Sequence, residues 1–367
     1  MTQILQPLRQ SLSTYEGWRA YAEKPPRERP GVLSRSQLDD LSDRKRAIYD
    51  RDRRTWHANL IFRTRQVDFL HTELGDLVDS NMQDADNVKG AAAIDAPPTL
   101  GKSTVLKTFG RSYHVRRLVE DGEYVDAEQT IRHIPVCHIM LTGKVTIKGL
   151  HEMLLTYYAH PAAGPTRATV SGRDLARAAA ESVARHDTRL ILIDDLHFLN
   201  MRTRDGVEVA NQLKWLANEY DATFLFAGVA LRERGLIGEG LSGRDAAMAQ
   251  TFRRWTVMGM TSHAWSTGDA REEWTRLIRN IENAVVLADM PTGMLVDIRK
   301  YLFARTGGNI GSLMALIRRG TARAIRTGTE RMDQALLDTI RLDEGAETDR
   351  RHLEEKLGVT RTRGGAR

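Results

Sequence analysis

Ala96-Pro97-Pro98-Thr99-Leu100-Gly101-Lys102-Ser103 decides how this chain is read. The run follows a short apolar stretch at 91–95, and from Thr104 onward the spacing of apolar residues is helical. A strand, a tight loop and a helix start in that order make a cradle for phosphates. Loop N–H groups and the positive end of the helix dipole then point at the same place. On this spacing Lys102 is expected to reach the β- and γ-phosphates of ATP, with the Ser103 hydroxyl on Mg2+. The expected nucleotide-binding residues are Ala96, Pro97, Pro98, Thr99, Leu100, Gly101, Lys102, Ser103 and Thr104. Ala96 and Thr99 stand where glycine is the commoner choice, and the two prolines remove two donors while stiffening the turn.

About ninety residues further on comes Leu190-Ile-Leu-Ile-Asp194-Asp195, an apolar strand that ends in two carboxylates. Alone, such an ending is more often a turn or a helix cap. Behind a phosphate loop it reads as the second half of a nucleotide site, with Asp194 a magnesium ligand through water and Asp195 the carboxylate that activates the attacking water.

Working outward, strands are expected at 91–95, 134–140, 189–194, 223–227 and 256–260, with helical patterns such as 104–118, 172–185 and 207–220 between them. Short apolar strands alternating with helices imply a parallel sheet covered on both faces. After Met290-Pro-Thr-Gly293 the strand signals stop, and 294–305, 310–326 and 331–341 read as helices separated by glycine breaks. The expected fold is therefore α/β: a P-loop NTPase with a parallel five-stranded sheet and helices on both faces, followed by a small all-helical domain. Four segments are expected: a charged helical arm over 1–59 outside the main core, the nucleotide-binding α/β domain over 60–290, the helical lid over 291–345, and a basic, disordered tail over 346–367.

Composition narrows the partners. The chain has 367 residues, 41% hydrophobic and 28% charged, with a formal net charge of +6, which suits a folded chain with a real core and an anionic partner. Cys137 is the only cysteine, so an internal disulfide and a cysteine-rich zinc site are excluded. No apolar run reaches the roughly 18 residues of a membrane span, and the N-terminus lacks the pattern of a signal peptide. The expected location is the cytoplasm, with no membrane partner.

Ala-Pro-Pro-Thr-Leu-Gly-Lys-Ser resembles the phosphate loop of AAA+ ATPases, and a helical bundle after the fifth strand is similar to their lid. Three stretches further resemble the transposition ATPases of the TniB and TnsC type. They are Ile193-Asp-Asp-Leu-His-Phe-Leu199, Leu213-Lys-Trp-Leu-Ala-Asn-Glu219 leading into Thr223-Phe-Leu-Phe-Ala-Gly228, and Gly308-Asn-Ile-Gly-Ser-Leu-Met-Ala-Leu-Ile317 running on to Gly328. The likeness covers about 60–340.

That resemblance implies ATP and Mg2+ as cofactors and an ATP-dependent homo-oligomer on double-stranded DNA, gripped through its backbone. It also implies a transposase partner and a target-selection adaptor protein. It places an arginine finger at Phe252-Arg253-Arg254-Trp255, with Arg254 aligning best and Arg253 second, and DNA contacts at Lys144, Thr146 and Lys148. His197 matches a histidine of the family and is read as packing or polar support. Three departures point to slow hydrolysis: Asp195 where glutamate is usual, Gly228-Val229 where a polar sensor is usual, and Asn309-Ile-Gly-Ser312 without the sensor arginine. Two other readings stand beside this one: an ATP switch in signalling or defence without DNA, and a helicase-loader type of remodelling ATPase.

Overall fold

The computed structural model describes residues 11–83, 89–143, 145–163, 170–198, 220–231, 233 and 255–359. The described chain divides into two units, one holding residues 1–25, 66–98 and 102–260, the other 26–65, 99–101 and 261–367.

In chain order the elements are α1 (Tyr15–Ala22), α2 (Arg35–Asp39), α3 (Asp43–Ala58), α4 (Arg65–Gln83), β1 (Ala91–Asp95), α5 (Lys102–Asp121), β2 (Val136–Met140), α6 (Ile147–Tyr157), α7 (Gly172–Arg185), β3 (Leu190–Asp194), β4 (Thr223–Gly228) and β5 (Trp255–Gly259). After the sheet follow α8 (Gly268–Ala284), α9 (Met294–Asp297), α10 (Arg299–Thr306), α11 (Ile310–Thr327), α12 (Gln334–Asp338) and α13 (Glu344–Leu357).

The first unit is an α/β layer structure. Its five strands are all parallel and run in the order β2-β3-β4-β1-β5. Every residue of β3 and β4 is buried, as strands covered on both faces require. The five strands expected from the sequence are all present, each with ends within two residues of the expected ones. The expected helix at 207–220 lies, apart from Tyr220, outside the described residues.

Helix α5 packs on β2, β3 and β4, and Gly110 makes that approach possible. A methyl group there would lie 2.4 Å from Leu192 Cδ1 and 3.1 Å from the Trp18 ring. Trp18 is fully buried, stacked on His138 with ring centroids 5.3 Å apart. Arg111 donates to the Ala22 carbonyl at 2.9 Å. The expected arm is thus corrected in its first part: α1 belongs to the α/β core, because one tryptophan fills the space that a glycine leaves.

The second unit is all helical. Trp274, Leu277, Ile278 and Ile281 of α8 form its core with Leu302 and Phe303 of α10 and Leu313, Leu316 and Ile317 of α11. Helix α3 belongs to this core rather than to an exposed arm. Its Arg53 has no solvent exposure and donates to Glu330 at 2.6 Å from both terminal nitrogens, while its Trp56 donates to the Ala284 carbonyl at 2.7 Å. The C-terminal stretch of this unit also starts earlier than the expected lid, at Thr261, so that α8 belongs to it. At its far end, α13 occupies most of the stretch expected to be a disordered tail. Asp343 caps that helix by accepting from the Ala346 N–H, and Gly358 closes it at φ 62°. The expected helix at 294–305 is divided at Ile298. Among the described residues no helix is long and apolar enough to cross a membrane.

Candidate functional site

Parallel strands deliver their carboxyl ends to one edge of a sheet, and ligands of open α/β sheets collect there. β1 ends at Asp95 and β3 at Asp194, with β4 between them. The Ala96 N–H donates to the Gly228 carbonyl at 3.3 Å, which ties the start of the loop to the end of β4. Ala96 is not among the residues with left-handed φ, so alanine serves where the resembling loops have glycine. Pro97 and Pro98 are exposed and Leu100 is buried. Thr99 takes a φ of 64° and Gly101 a φ of 92°.

Thr99, Leu100 and Gly101 cluster with the second unit. Within it the Thr99 carbonyl accepts from the Gly311 N–H at 3.0 Å, and its hydroxyl accepts from Asn309 Nδ2 at 2.9 Å.

Lys102 opens α5, a helix of 20 residues, and is 8% exposed. Its ammonium donates to the carbonyls of Ala96 at 2.8 Å and Pro97 at 2.7 Å. Burial lowers its pKa, while Asp194, Asp195 and Asp95 act in the opposite direction. One turn of helix thus places a cation, the first α5 N–H groups and the loop side by side, the arrangement that draws phosphate. Ser103 follows, and its hydroxyl donates to Asp194 Oδ1 at 3.0 Å; Thr104 is half-buried behind it.

Asp194 is 1% exposed, and its Oδ1 also accepts from the Asp195 N–H at 3.0 Å. Its second oxygen, Oδ2, is buried without a hydrogen-bond partner. A buried carboxylate oxygen left without a donor is costly and calls for an ion or water. A hydroxyl and a carboxylate are the hard oxygen ligands that Mg2+ takes when phosphates and water complete its shell. Among the described residues no cluster of three histidine, cysteine or acidic side chains could hold a metal. The Ser103 hydroxyl and the Asp194 carboxylate, with its unmatched Oδ2, fit Mg2+ brought by a nucleotide.

Asp195 takes a φ of 59°, and its side chain is 36% exposed. Burial and then the neighbouring Asp194 charge raise its pKa. Its carbonyl accepts from the Phe198 N–H at 3.0 Å, and its Oδ1 lies 3.8 Å from His197 Nδ1. The His197 ring packs on Phe198 at 4.4 Å, in keeping with a packing and polar role.

One carboxylate escaped sequence reasoning. Asp95 closes β1 just before the loop, accepts from the Leu231 N–H at 3.0 Å, and acts on Lys102. Its position as the last residue of a strand before a phosphate loop was the available signal. Gly228 permits a tight corner: a methyl there would lie 2.4 Å from Leu231 Cδ2. The end of β4 carries no polar side chain.

Of the remaining expected residues, Thr146 and Lys148 are described. Thr146 caps α6, accepting from the Gly149 N–H at 3.1 Å, and Lys148 is half-buried in that helix's first turn. Lys144, Arg253 and Arg254 lie outside the described residues. On α11 the sequence shows four arginines, but Arg318, Arg319 and Arg323 donate to the carbonyls of Leu60, Arg341 and Thr339 at 3.2, 2.7 and 2.5 Å.

The fold is that of an AAA+ P-loop NTPase. Residues 85–236 match the sequence family described as an AAA domain. Three solved structures share the fold. The Aeropyrum pernix ORC2 protein has a TM-score of 0.54 at 10% identity, over 78% of this chain and 70% of that one. Cdc6p from Pyrobaculum aerophilum gives 0.54 at 11%, over 77% and 68%. The Aeropyrum pernix ORC1 protein in complex with DNA gives 0.51 at 12%, over 82% and 69%. At such identities the fold alone is shared. No curated protein matches the sequence.

Proposed function

We propose that this chain is a slow AAA+ ATPase that binds double-stranded DNA in an ATP-dependent, largely sequence-independent way, oligomerises on it, and recruits or activates a transposase together with a target-selection adaptor. The observation that carries the ATP reading is the Ser103–Asp194 pair at 3.0 Å beside Lys102, with Asp194 Oδ2 buried and unmatched. With ATP bound, Lys102 would exchange its two loop carbonyls for the β- and γ-phosphates, and Ser103 and Asp194 would hold Mg2+. Bound Mg2+ supplies neutralisation of phosphate charge. Asp195, with its pKa raised, accepts the proton of the attacking water. Its short side chain and the apolar end of β4 suit slow turnover.

The DNA reading rests on Lys144, Thr146 and Lys148 after β2, residue types that hold phosphate without reading sequence. The ORC1 protein of this fold, solved in complex with DNA, agrees with it. The transposition reading rests on the three stretches around Ile193, Leu213 and Gly308. Arg254, with Arg253 as second choice, serves as the finger that meets a neighbouring subunit's γ-phosphate.

Light scattering beside a DNA mobility shift, each with and without a non-hydrolysable ATP analogue, tests the reading. Wild type should assemble and bind DNA only with the analogue. Arg254→Ala should bind ATP as a monomer and lose assembly and most DNA affinity together. Full-size oligomers of Arg254→Ala on DNA would exclude the finger assignment, and a wild type that never binds DNA would exclude the transposition reading.

A further inference from the structure

Helix α3 has two faces of opposite electrostatic design. On the inner face Arg46, Asp50, Arg53 and His57 recur at helical spacing and are all engaged. Arg46 donates to the Leu38 carbonyl at 3.3 Å and to Glu330 at 3.2 Å, and Arg53 is held by Glu330 and Asp50. His57 Nε2 accepts from the Val286 N–H at 2.9 Å. Trp56 adds its own bond to the Ala284 carbonyl. A helix pinned through so many directional contacts cannot rotate about its axis, so its outer residues are held in fixed places.

The outer surface carries four cations, Arg44, Lys45, Arg51 and Arg54, against two carboxylates, Asp43 in the first turn and Asp52, all exposed. Arg44, Lys45 and Arg54 make no ion pair or hydrogen bond among the described residues, and Arg51 meets only Asp52, at 3.2 Å with 68% of its side chain exposed. Elsewhere in the same unit arginines are spent on structure: Arg318, Arg319 and Arg323 on carbonyls, Arg350 on Asp338 and Glu354.

We propose that the outer surface of α3 is a second contact for the phosphate backbone of double-stranded DNA, distinct from the segment at 144–148. The proposal rests on the DNA reading above and names where else the duplex is held. Arg44 and Arg54 are ten residues apart, about 15 Å along a helix axis. A duplex carries one charge per roughly 1.7 Å of its axis with both strands counted, so that length of DNA holds about nine phosphates, only part of them on the side facing the helix. The cations therefore meet phosphate in any register, and the contact is independent of sequence. A lipid surface fits poorly, because Ile48, 43% exposed, is the only large apolar side chain on this face, and membrane-lying helices need a broad apolar one.

The test is the salt dependence of binding to a random-sequence duplex, in the full chain with a non-hydrolysable ATP analogue. Arg44→Ala combined with Lys45→Ala and Arg54→Ala should flatten the log–log salt slope by about 2–3, because each lost phosphate contact removes about 0.9. Affinity for the analogue should stay the same. Arg44→Lys with Arg54→Lys should keep the wild-type slope. An unchanged slope in the alanine variant overturns this proposal and leaves the DNA reading standing. An equal fall in the lysine variant assigns the effect to helix structure and overturns it too. A wild type that binds no duplex in any nucleotide state overturns the DNA reading itself, before any variant is made.

Discussion

In the α/β unit the buried charges at the carboxyl ends of the strands are incompletely matched. Lys102 has two backbone carbonyls for its ammonium, and Asp194 keeps one oxygen without a donor. In the helical unit the equally buried Arg53 and Glu330 meet each other twice at 2.6 Å, and Asp50, Arg46 and the Ala288 N–H complete the set. The difference separates two uses of buried charge. A satisfied pair fixes how helices meet, whereas an unsatisfied one is a place prepared for a ligand that brings the missing charge.

The largest effect should come from breaking the satisfied pair. Arg53→Ala takes both 2.6 Å bonds from the buried Glu330, leaves it Arg46 and the Ala288 N–H, and should cost the helical unit about 3–5 kcal/mol. Replacing both residues by methionine should recover most of that loss, since neither charge is then left alone. Hydrogen exchange of the α3 amides reads both variants directly. Equal loss of protection in the single and double variants would mean that packing volume, and not charge, holds the helix.

Acid should weaken both units in similar measure, which a change at Arg53 does not. Burial, helped by Arg53 and Arg29, pushes the pKa of His57 down to about 4, and burial, helped by Lys107 and opposed by Asp194, does the same for His138. Both values lie below the unfolded value of about 6.5. The unfolded chain therefore binds more protons between these limits. The stabilisation is complete above about pH 6.5 and is lost as pH falls toward 4, by up to about 3 kcal/mol for each group. Exchange of the β2 and α3 amides near pH 7 and near pH 5, corrected for intrinsic rates, should show both elements opening more readily in acid. Protection that rises on acidification would contradict the sign.

What could be read from the chain, and what could not, follows the same division. All five strands and the pairing of Ser103 with Asp194 were legible, because short apolar runs and a loop motif are local patterns. The placement of α3 was not. Arg46 and Asp50 at i and i+4 look alike on a solvated helix and on a buried one, and the acid that decides the matter, Glu330, is 277 residues from Arg53 in the chain. The start of the expected arm, α1, joins the core for the same reason, since the partners of its Trp18, Gly110 and His138, lie far along the chain. The helix α13 is a different case. Asp343 before it and Gly358 after it are ordinary start and stop signals, and composition was weighed above them.

The central claim is that Asp194 is unmatched because it awaits a nucleotide-borne metal. Calorimetric titration of ATP into wild type and Asp194→Asn, with and without Mg2+, tests it most directly, beside the unfolding transition of each protein without ligand. The account predicts that wild type binds ATP at least tenfold more tightly with Mg2+, a gain of about 1.4 kcal/mol or more. Asp194→Asn should lose that gain while remaining as stable as wild type to within about 1 kcal/mol, since an amide keeps an oxygen for Ser103 and the Asp195 N–H and removes a buried charge of which one oxygen has no donor. A variant that keeps the full Mg2+ effect, or that unfolds for want of the carboxylate, would show that Asp194 is part of the scaffold and not of a nucleotide site.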